Sequence, residues 1–308
     1  MKKNLTIIIL IYNSSHIIES CLNNLKFDEY EIIVVDNASI DNGIKIVQDK
    51  FPKARIIKLE KNIGYGRANN AALRQVKTEF ALLMNADSVI TDDNIKKITA
   101  LMTKNQTIAI AGPIVYSCKL ENGNIIEKDL CTKINHLKHK YLEDENFYFS
   151  QFITGAAMFF NMKIMSEIGF FDEGFFLYCE DNEICKRAIK KGYKTAIIKN
   201  SKFYHLSGQS CALTKEEAFK INWHRFGWSK AYYAEKRWGV LIGKLKAIAM
   251  ILKFGINSLK EKMSGKINLR NQAALQGCYA YLIGLGAFDK NGDARGMKKK
   301  PDNKNDNS

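Results

Sequence analysis

The hydrophobic positions of this chain fall into short dense runs separated by stretches of longer period. Apolar, β-branched runs occupy residues 5–11, 31–36, 55–59, 80–84 and 108–115. Between them, near 14–26, 40–50, 66–77 and 92–104, apolar residues recur at helical spacing. Strands alternating with helices in this way predict a mostly parallel sheet with helices on both faces. Asp92 and Asp93 open the fourth helical stretch, where carboxylates favour a helix N-terminus.

Beyond residue 115 the rhythm breaks. Residues 117–150 are polar, with a turn at 121–124 and a His/Lys-rich stretch at 133–140, and read as an insertion or flexible loop. Order resumes with a strand expected over 152–160, a helix from Asn182 to Lys191 ended by Gly192, and a strand from Thr195 to Ile198. From 214 onward only helical patterning remains. The Lys/Asp/Asn-rich tail, 291–308, has the composition of a disordered segment. The expected division is a catalytic domain at 1–211, a basic helical extension at 212–290 and the tail at 291–308.

Charge sharpens that division. Of the net +15, residues 1–211 carry +4 (28 Lys+Arg against 24 Asp+Glu) and residues 212–308 carry +11 (19 against 8). A basic segment calls for an anionic partner, membrane lipid or nucleic acid. Residues 240–257 are mostly apolar, with Lys244, Lys246 and Lys253; Lys246, Lys253 and Lys260 recur every seven positions, on one helical stripe. Trp223, Trp228, Tyr232, Tyr233 and Trp238 precede them among Lys and Arg. This pattern predicts helices lying in a membrane interface. The lysines oppose a full span, since each central charge costs about 2.5–3.5 kcal/mol. The plainer alternative is a helix packed on the catalytic domain with solvated lysines. The apolar, aromatic setting and the lack of a known nucleic-acid motif argue against nucleic acid.

Seven scattered cysteines without a CxxC fit a reducing cytosol. The short apolar run from Leu5 to Tyr12 reads as a first strand rather than a signal peptide.

Polar residues appear where apolar runs stop. Ile32-Ile33-Val34-Val35 ends in Asp36-Asn37, and Phe80-Ala81-Leu82-Leu83-Met84 ends in Asn85-Ala86-Asp87. Ligands of open α/β sheets bind outside the carboxyl ends of the strands, so these ends predict one shared crevice. Asp36 and Asn37 could meet a base or ribose edge; the alternative is a helix cap. In Asn62-Ile63-Gly64-Tyr65-Gly66-Arg67-Ala68-Asn69-Asn70, the glycines allow close backbone approach and Arg67 could meet a phosphate. It is not a dinucleotide fingerprint, because Asn69 stands where the third glycine would be. Nor does a glycine follow the first strand, where Tyr12-Asn13-Ser14-Ser15 stands, which argues against a Rossmann oxidoreductase. Asp87 suits a hard cation, Mg²⁺ or Mn²⁺, bound with a diphosphate, and the imidazole of His205 could complete that site; the alternatives are a turn and helix cap for Asp87 and a packed or solvent-facing side chain for His205. Adjacent Glu180 and Asp181 place one carboxyl in a field that raises its pKa, and a carboxylate there could act as a general base; otherwise they merely favour a helix N-terminus.

Taken together, the segments resemble a known family. Ile7 to Asn13, Val34 to Ser39, Asn62-x-Gly64-x-Gly66-x-x-Asn69, Asn85-Ala86-Asp87, Gly155 to Met158, Phe171-Asp172-Glu173-x-Phe175-Phe176 and Glu180-Asp181-x-Glu183 resemble the inverting family 2 glycosyltransferases of the GT-A fold, and their bacterial rhamnosyltransferase-like branch in particular. The resemblance covers roughly residues 4–210. It implies a nucleotide-sugar donor, dTDP- or UDP-linked, with Asp36 and Asn37 at the base or ribose and Arg67 and Asn69 in the donor-side loop. It implies Asp87 and His205 as metal ligands and Asp181, of the Glu180-Asp181 pair, as catalytic base. Asn85 replaces the first Asp of the family's Asp-x-Asp motif, which removes one negative charge while leaving an amide oxygen. The implied acceptor is a surface polysaccharide or lipid-linked glycan precursor. The implied location is the cytoplasm, at the inner face of an anionic cell membrane.

Overall fold

The computed structural model describes residues 3–121, 124–131, 145–206, 215–264 and 269–292. The chain divides into two compact units, Met1–Leu213 and Thr214–Ser308.

The first unit is an α/β sandwich. Its strands are β1 (Leu5–Ile11), β2 (Glu31–Asp36), β3 (Arg55–Lys58), β4 (Phe80–Asn85), β5 (Ser88–Ile90), β6 (Ile108–Glu121), β7 (Asn124–Leu130), β8 (Phe147–Phe149), β9 (Ala157–Asn161) and β10 (Lys194–His205). Its helices are α1 (Ile18–Asn23), α2 (Gly43–Lys50), α3 (Tyr65–Leu73), α4 (Asp92–Lys104), α5 (Met162–Ile168) and α6 (Glu180–Lys190). The sheet runs β3-β2-β1-β4-β9-β6-β10-β5, with β7 added to β6 and β8 to β10. β1–β4, β6 and β10 point one way and β9 runs against them. The pleat divides the apolar runs between two cores: Leu5, Ile7, Ile9 and Ile11 of β1 fill one, and Ile8 the other. Phe80, Leu82 and Met84 of β4 likewise face away from Ala81 and Leu83.

Local chemistry sets the ends. Thr91 caps α4 by accepting from the Asn94 backbone N–H, with Asp92 and Asp93 in the first turn. Gly192, at φ 86°, follows the end of α6.

Two expectations need correction. Residues 117–150 are not simply a loop: β6 runs through to Glu121, β7 pairs back on it, and β8 joins β10. The segment looked like a loop because β7 hangs beside the main sheet, with Ile126 to Leu130 exposed, and so carries the polar composition of an edge. The His/Lys-rich stretch lies outside the described residues. The strand expected over 152–160 starts only at Ala157, because Phe152 to Ala156 turn toward α6 instead.

Register positions the site. Ile11 of β1 lies opposite Asp36 and Leu10 opposite Asn85, so both polar ends emerge at one edge of the sheet. β10 reaches the same edge through an irregularity. From Ile197 to Lys202 it advances five positions while β6 advances two, from Gly112 to Ile114. Asn200, at φ 58°, sits in this bulge. His205 then falls opposite Ser88 of β5.

The second unit contains α7 (Lys215–Trp238), α8 (Val240–Met263) and α9 (Leu269–Leu282). They close on Trp228, Ala231, Ala247, Met250, Phe254, Ala274, Cys278 and Tyr281. α7 and α9 touch backbone to backbone, since a Cβ on Gly277 would fall 1.9 Å from the His224 carbonyl oxygen. Among the described residues no helix is long and apolar enough to cross a membrane.

Candidate active site

Asp36 ends β2 and Asn37 follows it, both buried. The Asp36 carboxylate accepts from the Ser39 backbone N–H at 2.8 Å. The Asn37 side chain accepts from Ile63 N at 2.9 Å and donates to Asn62 Oδ1 at 2.9 Å. Asn37 therefore holds the start of the Gly-x-Gly loop against the sheet.

That loop differs from its sequence reading. Gly64 has φ 84°, and a Cβ there would lie 2.4 Å from the Phe176 carbonyl oxygen, which accepts from Tyr65 N. A Cβ on Gly66 would meet Phe171 at 3.0 Å. The glycines admit the 171–176 segment of this same chain, where a ligand had been expected. Arg67 Nε donates to the Glu173 carbonyl at 2.7 Å, and the amide of buried Asn69 donates to the Tyr65 carbonyl within α3.

The structure joins Asn85, Asp87 and His205. His205 Nε2 lies 3.1 Å from Asp87 Oδ1 and 3.4 Å from Asn85 Nδ2. Asp87 is wholly buried, and its Oδ2 has no hydrogen-bond partner among the described residues. A buried carboxylate oxygen left open beside an imidazole is costly unless something fills the gap. Carboxylate, imidazole and amide oxygen are donors that suit Mg²⁺ or Mn²⁺. Among the described residues no cluster of three or more His, Cys, Asp or Glu side chains is suited to a metal, so substrate oxygens would have to supply the remaining positions. Behind the site, burial and then the charge of Asp87 push the Cys21 thiol up to about 12, so it stays neutral.

Glu180 and Asp181 begin α6. Tyr178 and Cys179 precede them at φ 73° and 71°, two consecutive non-glycine residues in the left-handed region. Such backbone strain costs about 1–3 kcal/mol per residue and concentrates at functional sites. It turns the chain so that Glu180 goes inward and Asp181 stays partly open. Glu180 is buried and its Oε2 has no hydrogen-bond partner among the described residues. Burial, followed by the charge of Asp181, raises it to about 8, so it is largely protonated near neutral pH. Asp181 Oδ1 accepts from Asn182 N at 2.8 Å, and its Oδ2 accepts from Gly155 N at 3.3 Å.

The turn at Gly155 and Ala156 ties the two acidic centres together. Gly155 N–H faces Asp181, while the Ala156 carbonyl accepts from Asn85 N at 3.3 Å. The Tyr65 hydroxyl donates to the Gly155 carbonyl at 2.6 Å, and burial raises its pKa. Sequence reading missed Tyr65 in this role. It also missed Asn70, whose buried amide accepts from Phe171 N at 3.0 Å and donates to Phe171 O at 2.9 Å. The only hint was that both lie within the Gly-x-Gly segment; their partners are about 90 and 101 positions away.

The profile of Glycosyl transferase family 2 matches residues 6–169, just over half of the chain. An uncharacterized glycosyltransferase of Methanocaldococcus jannaschii is 27% identical over 185 residues, covering 59% of this chain and 61% of the relative. The poly(ribitol-phosphate) β-N-acetylglucosaminyltransferase TarS of Staphylococcus aureus is 33% identical over 110 residues, covering 33% of this chain and 19% of that protein. The chain thus spans less than two thirds of the length of these relatives. Among solved structures, the mannosyltransferase PcManGT of Pyrobaculum calidifontis with GDP-Man and Mn²⁺ superposes with a TM-score of 0.55 at 15% identity, covering 92% of this chain and 88% of that one. S. aureus TarS 1–349 with UDP-GlcNAc gives 0.54 at 19% identity, covering 92% and 81%. These likenesses show the GT-A fold.

Proposed function

Because this chain belongs to glycosyl transferase family 2, we propose that it is an inverting, metal-assisted transferase that moves a sugar from a nucleoside-diphosphate donor to an acceptor hydroxyl, with Asp181 as base. The observation that carries this reading is the Gly155–Ala156 turn, which hydrogen-bonds Asp181 on one side and Asn85 on the other. This supports reading Asp181 and the Asp87–His205 pair as parts of one site.

Asp36 and Asn37 are proposed to meet the base or ribose, with Arg67 and Asn69 supporting the donor-side loop. Asp87 and His205, with Asn85 beside them, would hold Mg²⁺ or Mn²⁺. A divalent cation there supplies charge to offset that developing on the leaving diphosphate. Asp181 takes the acceptor hydroxyl proton as that oxygen bonds to the anomeric carbon. The bond from the anomeric carbon to the phosphate oxygen breaks on the opposite face, and the configuration inverts. Glu180, protonated near neutrality, does not compete for the proton.

For the donor we propose a dTDP- or UDP-sugar, with L-rhamnose first to be tried. For the acceptor we propose a surface polysaccharide or a lipid-linked glycan at the cytoplasmic face of the cell membrane. The bound sugars of TarS and PcManGT, UDP-GlcNAc and GDP-Man, set the wider panel. The test is a thermal-shift series with UDP-, dTDP- and GDP-sugars, each with Mn²⁺, Mg²⁺ or EDTA, since a ligand of the folded state raises apparent stability. The expected result is a metal-dependent rise with one nucleotide class. No rise with any donor, on folded protein, would overturn the proposal.

A further inference from the structure

α8 is exposed along its length on a face that should be buried. Leu241, Leu245, Ile248, Leu252, Ile256 and Leu259, ending in Met263, are each between 45% and 81% exposed. Each lies three or four positions after the last, so they form one nearly straight stripe along a helix of about 36 Å at 1.5 Å per residue. The opposite face, with Gly243, Ala247, Met250 and Phe254, is already buried within the helical unit. The stripe is therefore a second apolar face, larger than a monomer usually leaves in water.

Charge identifies its occupant. At 100° per residue, Lys244 and Lys262 fall along one border of the stripe, and Lys246, Lys253 and Lys260 along the other. All five are exposed. The sole acid of α8, Glu261, accepts from the Asn271 amide at 2.9 Å and lies away from the stripe. A second copy of this helix, in either direction, would set lysine against lysine. A nucleic acid would leave the apolar stripe unused. An anionic bilayer answers both features, with acyl chains for the stripe and headgroups for its two borders.

We infer that α8 docks lengthwise on the surface of an anionic membrane, with the Leu241–Met263 stripe inserted and its lysine borders at the headgroups. This deepens the membrane reading proposed above and does not depend on the transferase chemistry. Trp238, 57% exposed just before α8, takes the place of an interfacial aromatic at one end.

The test is flotation of the full chain with vesicles of phosphatidylcholine alone or mixed with phosphatidylglycerol, at low and high salt. Wild type should float only with the anionic vesicles, and less at high salt. The variant Leu245→Gln/Leu252→Gln/Leu259→Gln should lose at least about tenfold in binding, because three exposed anchors lose their apolar transfer energy. Because those side chains are exposed, the unfolding temperature should change little, which checks the fold. Lys246→Gln/Lys260→Gln should lose about fivefold per lysine. Asp181→Asn should float like wild type. Failure of wild type to float, or equal flotation of the triple-Gln variant, would overturn the inference. So would dimerisation on sedimentation, lost in the triple-Gln variant, by a wild type that ignores vesicles. A donor panel without response would count against the transferase proposal and leave the flotation result standing.

Discussion

The two acidic centres of the α/β unit begin alike and end differently. Asp87 and Glu180 are both buried carboxyls, and each has an oxygen without a hydrogen-bond partner among the described residues. Asp87 has an imidazole 3.1 Å away, while Glu180 has a second carboxylate in the next residue. The imidazole beside Asp87 would offer a cation a second ligand. An acidic neighbour, with burial, raises the pKa of the inner carboxyl so that it keeps its proton. Two buried carboxyls thus sit in different electrostatic surroundings, an imidazole beside one and a carboxylate beside the other.

Four substitutions break or sharpen this contrast. The largest effect is expected for Asp181→Asn, which removes the proposed proton acceptor. Transfer should fall by about 10³-fold, within the usual range for a general base, with donor affinity nearly kept. Turnover and thermal shift on the same sample separate the two, and weakened donor binding with normal turnover would remove Asp181 from this role. Next is Asp87→Ala. Mn²⁺-dependent donor binding should weaken by roughly 100-fold or more, because a cation loses a charged ligand. An unchanged donor affinity with and without Mn²⁺ would refute the metal assignment.

Glu180→Gln tests the other centre by pH. The folded state raises the Glu180 pKa, so its contribution to stability is intact below the ordinary glutamate value and is lost as pH climbs through about 8. The Gln variant carries no such loss. Its stability relative to wild type should grow as pH rises from 5 through about 8, measured by urea unfolding across that range. A constant difference would mean that Glu180 is not buried as a protonated acid. The smallest effect is expected at the Gly-x-Gly loop that packs on the 171–176 segment. Gly64→Ala would press a methyl against the Phe176 carbonyl at a positive φ, costing about 1–3 kcal/mol in unfolding experiments. An unchanged stability would show that the 171–176 segment can move aside.

The legible part of this fold was the part with a short period. β1, β2 and β4 announce themselves because both of their faces are buried, and Asp36 and Asn85 stand out where those runs stop. α4 was legible from Asp92 and Asp93. β7 was not, because an edge strand has no apolar period to display. Gly64 and Gly66 were seen but read as ligand-facing, since a sequence states that backbone comes close without stating to what. Tyr65, Asn70 and Gly155 stayed hidden because their roles exist only between segments about 90 to 100 positions apart. The Asp87–His205 pairing was suggested by their places at strand ends and strengthened by resemblance to a family; no local pattern in the chain links positions so far apart.

The bulge in β10 makes His205 hostage to length rather than to identity. Three surplus residues between Ile197 and Lys202 set the strand's phase beyond that point, and side chains on a strand alternate faces at every step. Deleting Asn200 alone would carry every later residue back by one, putting Leu206 where His205 stood and turning His205 to the other face. In such a frame-shifted strand every residue of the site would still be present in the sequence, yet the imidazole would face the wrong side of the sheet. Comparisons among relatives should therefore count residues between these two points before asking whether the histidine is there.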